Sequence, residues 1–209
     1  VKLELKSPVL HYYVNQGFGD NPKTYAQFGI KGHNGIDLHA DHGDPVYAST
    51  DGMAYYEMDD NQGEGFIVIT NDPVDFLDGT TAHAKTIYWH LCSVHDPQFK
   101  PVLPTDGKGY PVKTGDLIGY ADNTGFSTGT HLHWGLKPVM PGEDPAVFYN
   151  FAQNNGYAGA IDPTPYLIVP AKLASDIVFE AAAQKQREGN MAASNGLFAV
   201  ANVLRAFGV

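Results

Sequence analysis

One cysteine, Cys92, stands in 209 residues, so neither an internal disulfide framework nor a cysteine-based zinc finger is open to this chain. Positive charge is also scarce: 13 Lys and Arg against 23 Asp and Glu give a formal charge of −10. A nucleic-acid binder would carry a basic face, and this balance argues against one. No apolar run reaches the length of about 18 residues that a membrane span requires, so no transmembrane segment is expected. The opening Val1-Lys2-Leu3-Glu4-Leu5-Lys6 has no apolar core of a signal peptide. Either a leader is removed or the chain reaches its place of work by another route.

Other residues are plentiful. Glycine (23) and proline (14) together stand well above their ordinary share of about 12%, which favours short strands and long loops. A hydrophobic content of 43% excludes disorder as the main state. Nine histidines remain. With cysteine so rare, a bound transition metal would have to be held by imidazole and carboxylate.

The chain divides near residue 170, into a β-type part over 1–170 and an alanine-rich helical part over 171–209. In the first part, Val46–Thr50, an Asp51-Gly52 turn and Met53–Tyr56 read as a hairpin. Phe66–Thr70 reads as a buried strand with Thr86–Leu91 as its partner. Alternation places Ile87, Trp89 and Leu91 on one face of that partner, and Tyr88 and His90 on the other. Leu117–Ala121 and Leu132–Leu136 complete the set. Short strands with no helices between them predict a mainly β fold with an antiparallel sheet core. The long connections 71–85 and 93–111 are expected to wall a groove. In the second part, Ala171–Glu188 closed by Gly189, and Asn195–Phe207 with Leu197, Val200, Ala201, Leu204 and Phe207 at helical spacing, predict a helical hairpin. It is expected to pack on the domain or to meet another subunit or partner.

Two constellations carry chemistry. In His131-Leu132-His133, strand geometry turns both imidazoles to one side, roughly 6.6–6.8 Å apart along the backbone. The preceding Gly125–Thr130 loop of small residues allows other groups to approach closely. In His33-Asn34-Gly35-Ile36-Asp37, a straight strand would hold His33 and Asp37 about 13 Å apart, too far for two ligands each near 2 Å from one ion. A tight bend at Asn34-Gly35 would fold them together. A turn with an exposed histidine and a backbone-bonded aspartate is the other reading, and spacing does not choose between them.

In order along the chain stand Gly32-His33-Asn34-Gly35-Ile36-Asp37-Leu38, Gly43-Asp44-Pro45-Val46-Tyr47-Ala48, Tyr88-Trp89-His90-Leu91 and Gly129-Thr130-His131-Leu132-His133-Trp134. This ordered set, within residues 8–140, resembles the lysostaphin/LytM-type zinc metallopeptidases, which cut cross-bridges or stem peptides of bacterial cell wall. The resemblance implies a β-rich sheet core with a groove, and one zinc ion per chain held by His33, Asp37 and His133. It also implies that His90 and His131 are catalytic but do not bind metal. Spacing alone leaves open which of His131 and His133 is the ligand; the resemblance assigns His133. Some relatives place a tyrosine six residues before the first ligand. Gln27 stands there in this chain, and Tyr25, two residues earlier, is the substitute expected to help the oxyanion.

The activity implied by the resemblance is that of a zinc endopeptidase acting on peptidoglycan peptides outside the cytoplasm, whether periplasmic, secreted or phage-delivered. The competing expectation is a wall-binding or structural module that keeps the fold with little activity. His39 and His42 are expected at the rim of the site, while His11, His83 and His95 have no expected role. Asp59–Glu64 reads as an acidic turn, and Cys92 as a small buried filler.

Overall fold

The computed structural model describes residues 1–59, 63–142, 148–151 and 155–168. The two expected helices therefore lie outside the described residues, as do residues 60–62 of the acidic turn. The strands are β1 (Val14–Gln16), β2 (Ile36–His39), β3 (Pro45–Tyr47), β4 (Gly52–Asp59), β5 (Gly63–Ile69), β6 (Val74–Asp75), β7 (Thr81–Trp89), β8 (Tyr110–Val112), β9 (Leu117–Tyr120), β10 (His131–Pro141) and β11 (Phe148–Asn150). Nine of them form one sheet in the order β1-β2-β10-β7-β5-β4-β8, with β11 beside β10 and β6 beside β7; β3 and β9 form a separate ribbon. Every named pairing is antiparallel. The mainly β expectation holds.

Period-two patterning sets which face is buried. In β10, Leu132, Trp134 and Leu136 are fully buried, and His131, His133 and Gly135 alternate with them. Leu132 pairs with Leu38, His133 with Asp37 and Trp134 with Ile36. Ile36, Leu38, Leu132, Trp134 and Tyr88 thus point into the main core. The other face carries a smaller cluster, in which Trp89 packs against Ile67, Ile69 and Ile87. His133, Asp37 and His131 stand on this second face, towards one end of the sheet. The site is therefore built on the side of the sheet away from the main core.

Two expectations fail. The Val46–Tyr56 hairpin is not made: β3 pairs with β9, and β4 lies between β5 and β8. Asp51 is recruited instead by the loop after β8, its carboxylate accepting from the Thr114 amide and hydroxyl and from Lys113. Gly52 provides close approach, since a Cβ there would lie 2.2 Å from the Ile69 carbonyl oxygen. The connections 71–85 and 93–111 do not wall the groove. Much of the first is the β6–β7 pairing, and the groove is lined from other segments.

Candidate functional site

Two neighbouring strands and one bend bring three ligand atoms together. The chain bends at Asn34 and Gly35 before entering β2. This places His33 Nε2 3.1 Å from Asp37 Oδ1, so the bend resolves the His33–Asp37 alternative. Across the β2–β10 pairing, His133 Nδ1 lies 3.2 Å from Asp37 Oδ1 and 2.9 Å from His33 Nε2. Gly35 permits this approach, because a Cβ there would stand 2.6 Å from His133 Cε1 and 2.8 Å from the Trp134 carbonyl oxygen.

The triangle matches what a small tetrahedral ion asks of its ligands. Bonds near 2.0–2.2 Å put ligand atoms about 3.3 Å apart, close to the three separations observed. The His33 Nδ1 proton is directed at the Gly17 carbonyl, 3.2 Å away, which leaves the Nε2 lone pair facing the centre. A carboxylate and imidazole lone pairs pointing at one another require a proton or cation between them. Burial pushes the Asp37 carboxyl up, but hydrogen bonds from His131, His133 and His33 outweigh it, and its pKa falls far below the ordinary range. Burial holds the His133 imidazole below its ordinary pKa, against the hydrogen bond to Asp37.

His131 and His90 flank the triangle. His131 Nε2 lies 3.5 Å from Asp37 Oδ1, and its Nδ1 is 2.7 Å from the Gly129 carbonyl. His90 Nδ1 is 2.7 Å from the Thr124 carbonyl, and its ring centre is 4.6 Å from that of His131. In both residues a backbone carbonyl fixes the proton on Nδ1, and Nε2 is the nitrogen left for exchange with the site. Burial, aided by His133 and His131, lowers the His90 pKa to about 4 against the Thr124 hydrogen bond. For His131, burial works downward, but the hydrogen bond and charge of Asp37 prevail and raise it.

Alternation alone would have turned His90 towards the main core with Tyr88. It sits at φ 68° instead, in the left-handed region that few non-glycine residues occupy. That turn swings its ring to the site.

Tyr25 also lines the groove, its ring stacked on His33 at 5.3 Å. Burial raises its pKa and the Asp37 charge adds to this, while the hydrogen bond from Gln16 opposes them. Gln27 is turned away, its side chain donating to the Thr24 carbonyl. The groove walls are the segment 16–34 and the loop 126–128, and Phe28 and Phe126 meet edge to face at 5.2 Å. Sequence reasoning missed Gln16, whose Nε2 donates to the Tyr25 hydroxyl at 2.9 Å, and Phe28 and Phe126. No motif marks them. Neither His39 nor His42 lines the groove: His39 meets the Tyr13 ring edge-on, and His42 pairs with Asp96.

Comparison with known proteins finds similarity to metallopeptidases. The model of peptidase family M23 matches residues 31–145. Lysostaphin of Staphylococcus staphylolyticus is 27% identical over 161 residues, covering 74% of this chain and 29% of its own length. An uncharacterized metalloprotease of Haemophilus influenzae is 29% identical over 121 residues, covering 58% and 22%. The chain thus spans less than a third of either relative. The catalytic domain of the antimicrobial peptidase lysostaphin from Staphylococcus simulans superposes with a TM-score of 0.50 at 25% identity, covering 74% of this chain and 91% of that one.

Proposed function

This chain belongs to peptidase family M23, and from that premise we propose that it is a zinc-dependent endopeptidase that hydrolyses peptide bonds of bacterial cell-wall peptidoglycan. The observation that carries the reading is the convergence of His33 Nε2, Asp37 Oδ1 and His133 Nδ1 within 3.2 Å of one another. Two imidazoles and one carboxylate suit zinc, and three protein ligands leave a position for water, as in a catalytic site. Bound there, zinc would lower the pKa of a water molecule towards about 7 and polarise a substrate carbonyl.

The chain's own residues supply the rest. His33, Asp37 and His133 hold the ion. His131 and His90, in their neutral forms, jointly take the proton of the attacking water at Nε2. Once protonated, either imidazole donates to the developing oxyanion or to the departing amine. Tyr25, protonated and held by Gln16, is placed to add a hydroxyl donor to the oxyanion. The intact set counts against a wall-binding module without turnover.

Lysostaphin, among the relatives, is named as an antimicrobial peptidase, and peptidoglycan peptides are the substrate class proposed for this chain. Such a substrate places the enzyme outside the cytoplasm. No helix among the described residues is long and apolar enough to cross a membrane. The test is metal analysis of the purified protein together with digestion of isolated sacculi of different cross-link chemistry. New amino termini should appear in at least one wall type and vanish on chelation. A zinc-loaded protein that releases no termini from any of them would sink the substrate class.

A further inference from the structure

A second group of metal-ligating side chains lies outside the groove. His42, Cys92, Asp96 and Asp122 bring one ligand atom each to within 4.8 Å of one another. His42 Nε2 is 2.9 Å from Asp96 Oδ2 and 3.9 Å from Asp122 Oδ1. The other Asp96 oxygen accepts from the Gln98 and Phe99 amides, which fixes the carboxylate with Oδ2 turned to the cluster. Cys92 is 3% exposed, and its thiol donates to the Ala121 carbonyl at 3.4 Å. His42 is the most open member, with 38% of its side chain exposed, and provides a path from solvent.

We propose that His42, Cys92, Asp96 and Asp122 form a second, structural site for a zinc-like divalent cation. One thiolate, one imidazole and two carboxylates suit a borderline-soft ion and disfavour calcium or magnesium, which take oxygen alone. Four protein ligands close the shell, unlike the three in the groove. Ligand atoms around such an ion stand about 3.3–3.6 Å apart, so side-chain rotations of about an ångström complete it. A buried thiol facing two carboxylates is an unfavourable neighbour: burial, Asp122 and Asp96 push Cys92 up to about 12. A dication reverses that balance by displacing the thiol proton to solvent.

The backbone gives the site a purpose. Gly43 N donates to Ala121 O, Cys92 N to Tyr120 O, Asp122 N to His90 O and His131 N to Asp122 O. The cluster therefore joins three loops directly behind the two imidazoles of the groove. An ion there would rivet the segments that hold His90 and His131.

The experiment counts ions and reads the thiolate separately. The full chain is loaded with zinc for native mass spectrometry and with cobalt(II) for absorption spectroscopy. Cys92 is the sole cysteine, so a thiolate-to-cobalt charge-transfer band can come only from this site. Two ions per chain and such a band are expected. Cys92→Ser and Asp122→Asn should each lose one ion and the band, whereas His133→Ala should lose the other ion and keep the band. A single ion per chain, with no thiolate band and no change in Cys92→Ser, would overturn the proposal while leaving the groove's assignment standing. The band is read on the unsubstituted protein, so a variant that fails to fold does not spoil the test.

Discussion

Among single residues, His90 shows how much a site can depend on one backbone angle. A left-handed non-glycine residue costs about 1–2 kcal/mol and persists only where its surroundings over-determine it. Here the Thr124 carbonyl holds the ring, and the Asp122 amide holds the His90 carbonyl at 2.8 Å. Its partner Thr124 is 34 residues further along the chain, and for that reason strand alternation alone assigns the ring to the wrong face. The pair on β10 was legible, because a strand fixes His131 and His133 to one side whatever surrounds it. The roles proposed for them differ. His133→Ala is expected to lose zinc, and His131→Ala to keep zinc while turnover falls by about 10²–10⁴-fold. Metal content and sacculus digestion measured on both variants decide it; equal zinc loss would refute the division of labour.

At the scale of elements, the bend entering β2 and the turn entering β4 make an instructive contrast. Both contain a glycine after a small polar residue, Asn34-Gly35 and Asp51-Gly52, and both read as tight turns. The first does bend the chain, which folds His33 onto Asp37. The second does not make a hairpin, because Asp51 finds better partners in Lys113 and Thr114 and the strands on either side pair elsewhere. Local turn chemistry is visible in a sequence, but long-range partners that redirect it are not. Gly35 is the sharper test of the first element. An added methyl would press on His133 Cε1 at 2.6 Å and on the Trp134 carbonyl, displacing a ligand without altering any. Gly35→Ala should weaken zinc binding by roughly 10–100-fold, the range seen when support around a ligand is lost. Competition titration against a chelator would measure it, and unchanged affinity would show that β2 absorbs the methyl.

Across the whole molecule, the antiparallel architecture followed from short strands with no helices between them, whereas the groove walls had no such signal. They come from segments 16–34 and 126–128, where no repeating pattern marks a wall. Acid stability is a property of the same scale, and Asp51 contributes to it. Hydrogen bonds from Lys113, then from the Thr114 amide and hydroxyl, lower its carboxyl to about 2, below the ordinary 3.9 or so. The stabilisation is therefore present above about pH 4 and lost as pH falls through about 2. Asp51→Asn should lower the melting temperature at neutral pH and narrow that deficit at the acid end. Melts recorded across this range check it, and a deficit that stays constant with pH would exclude the carboxylate as its source. The central strand β10 turns Leu132, Trp134 and Leu136 to one side and His131 and His133 to the other, and this division reaches beyond catalysis. Selection for folding and selection for chemistry act on alternate letters of a single word. Under the proposed function, exchanging one outward histidine would silence the enzyme and leave every inward residue in place, so well-folded but inactive descendants would lie a single substitution away.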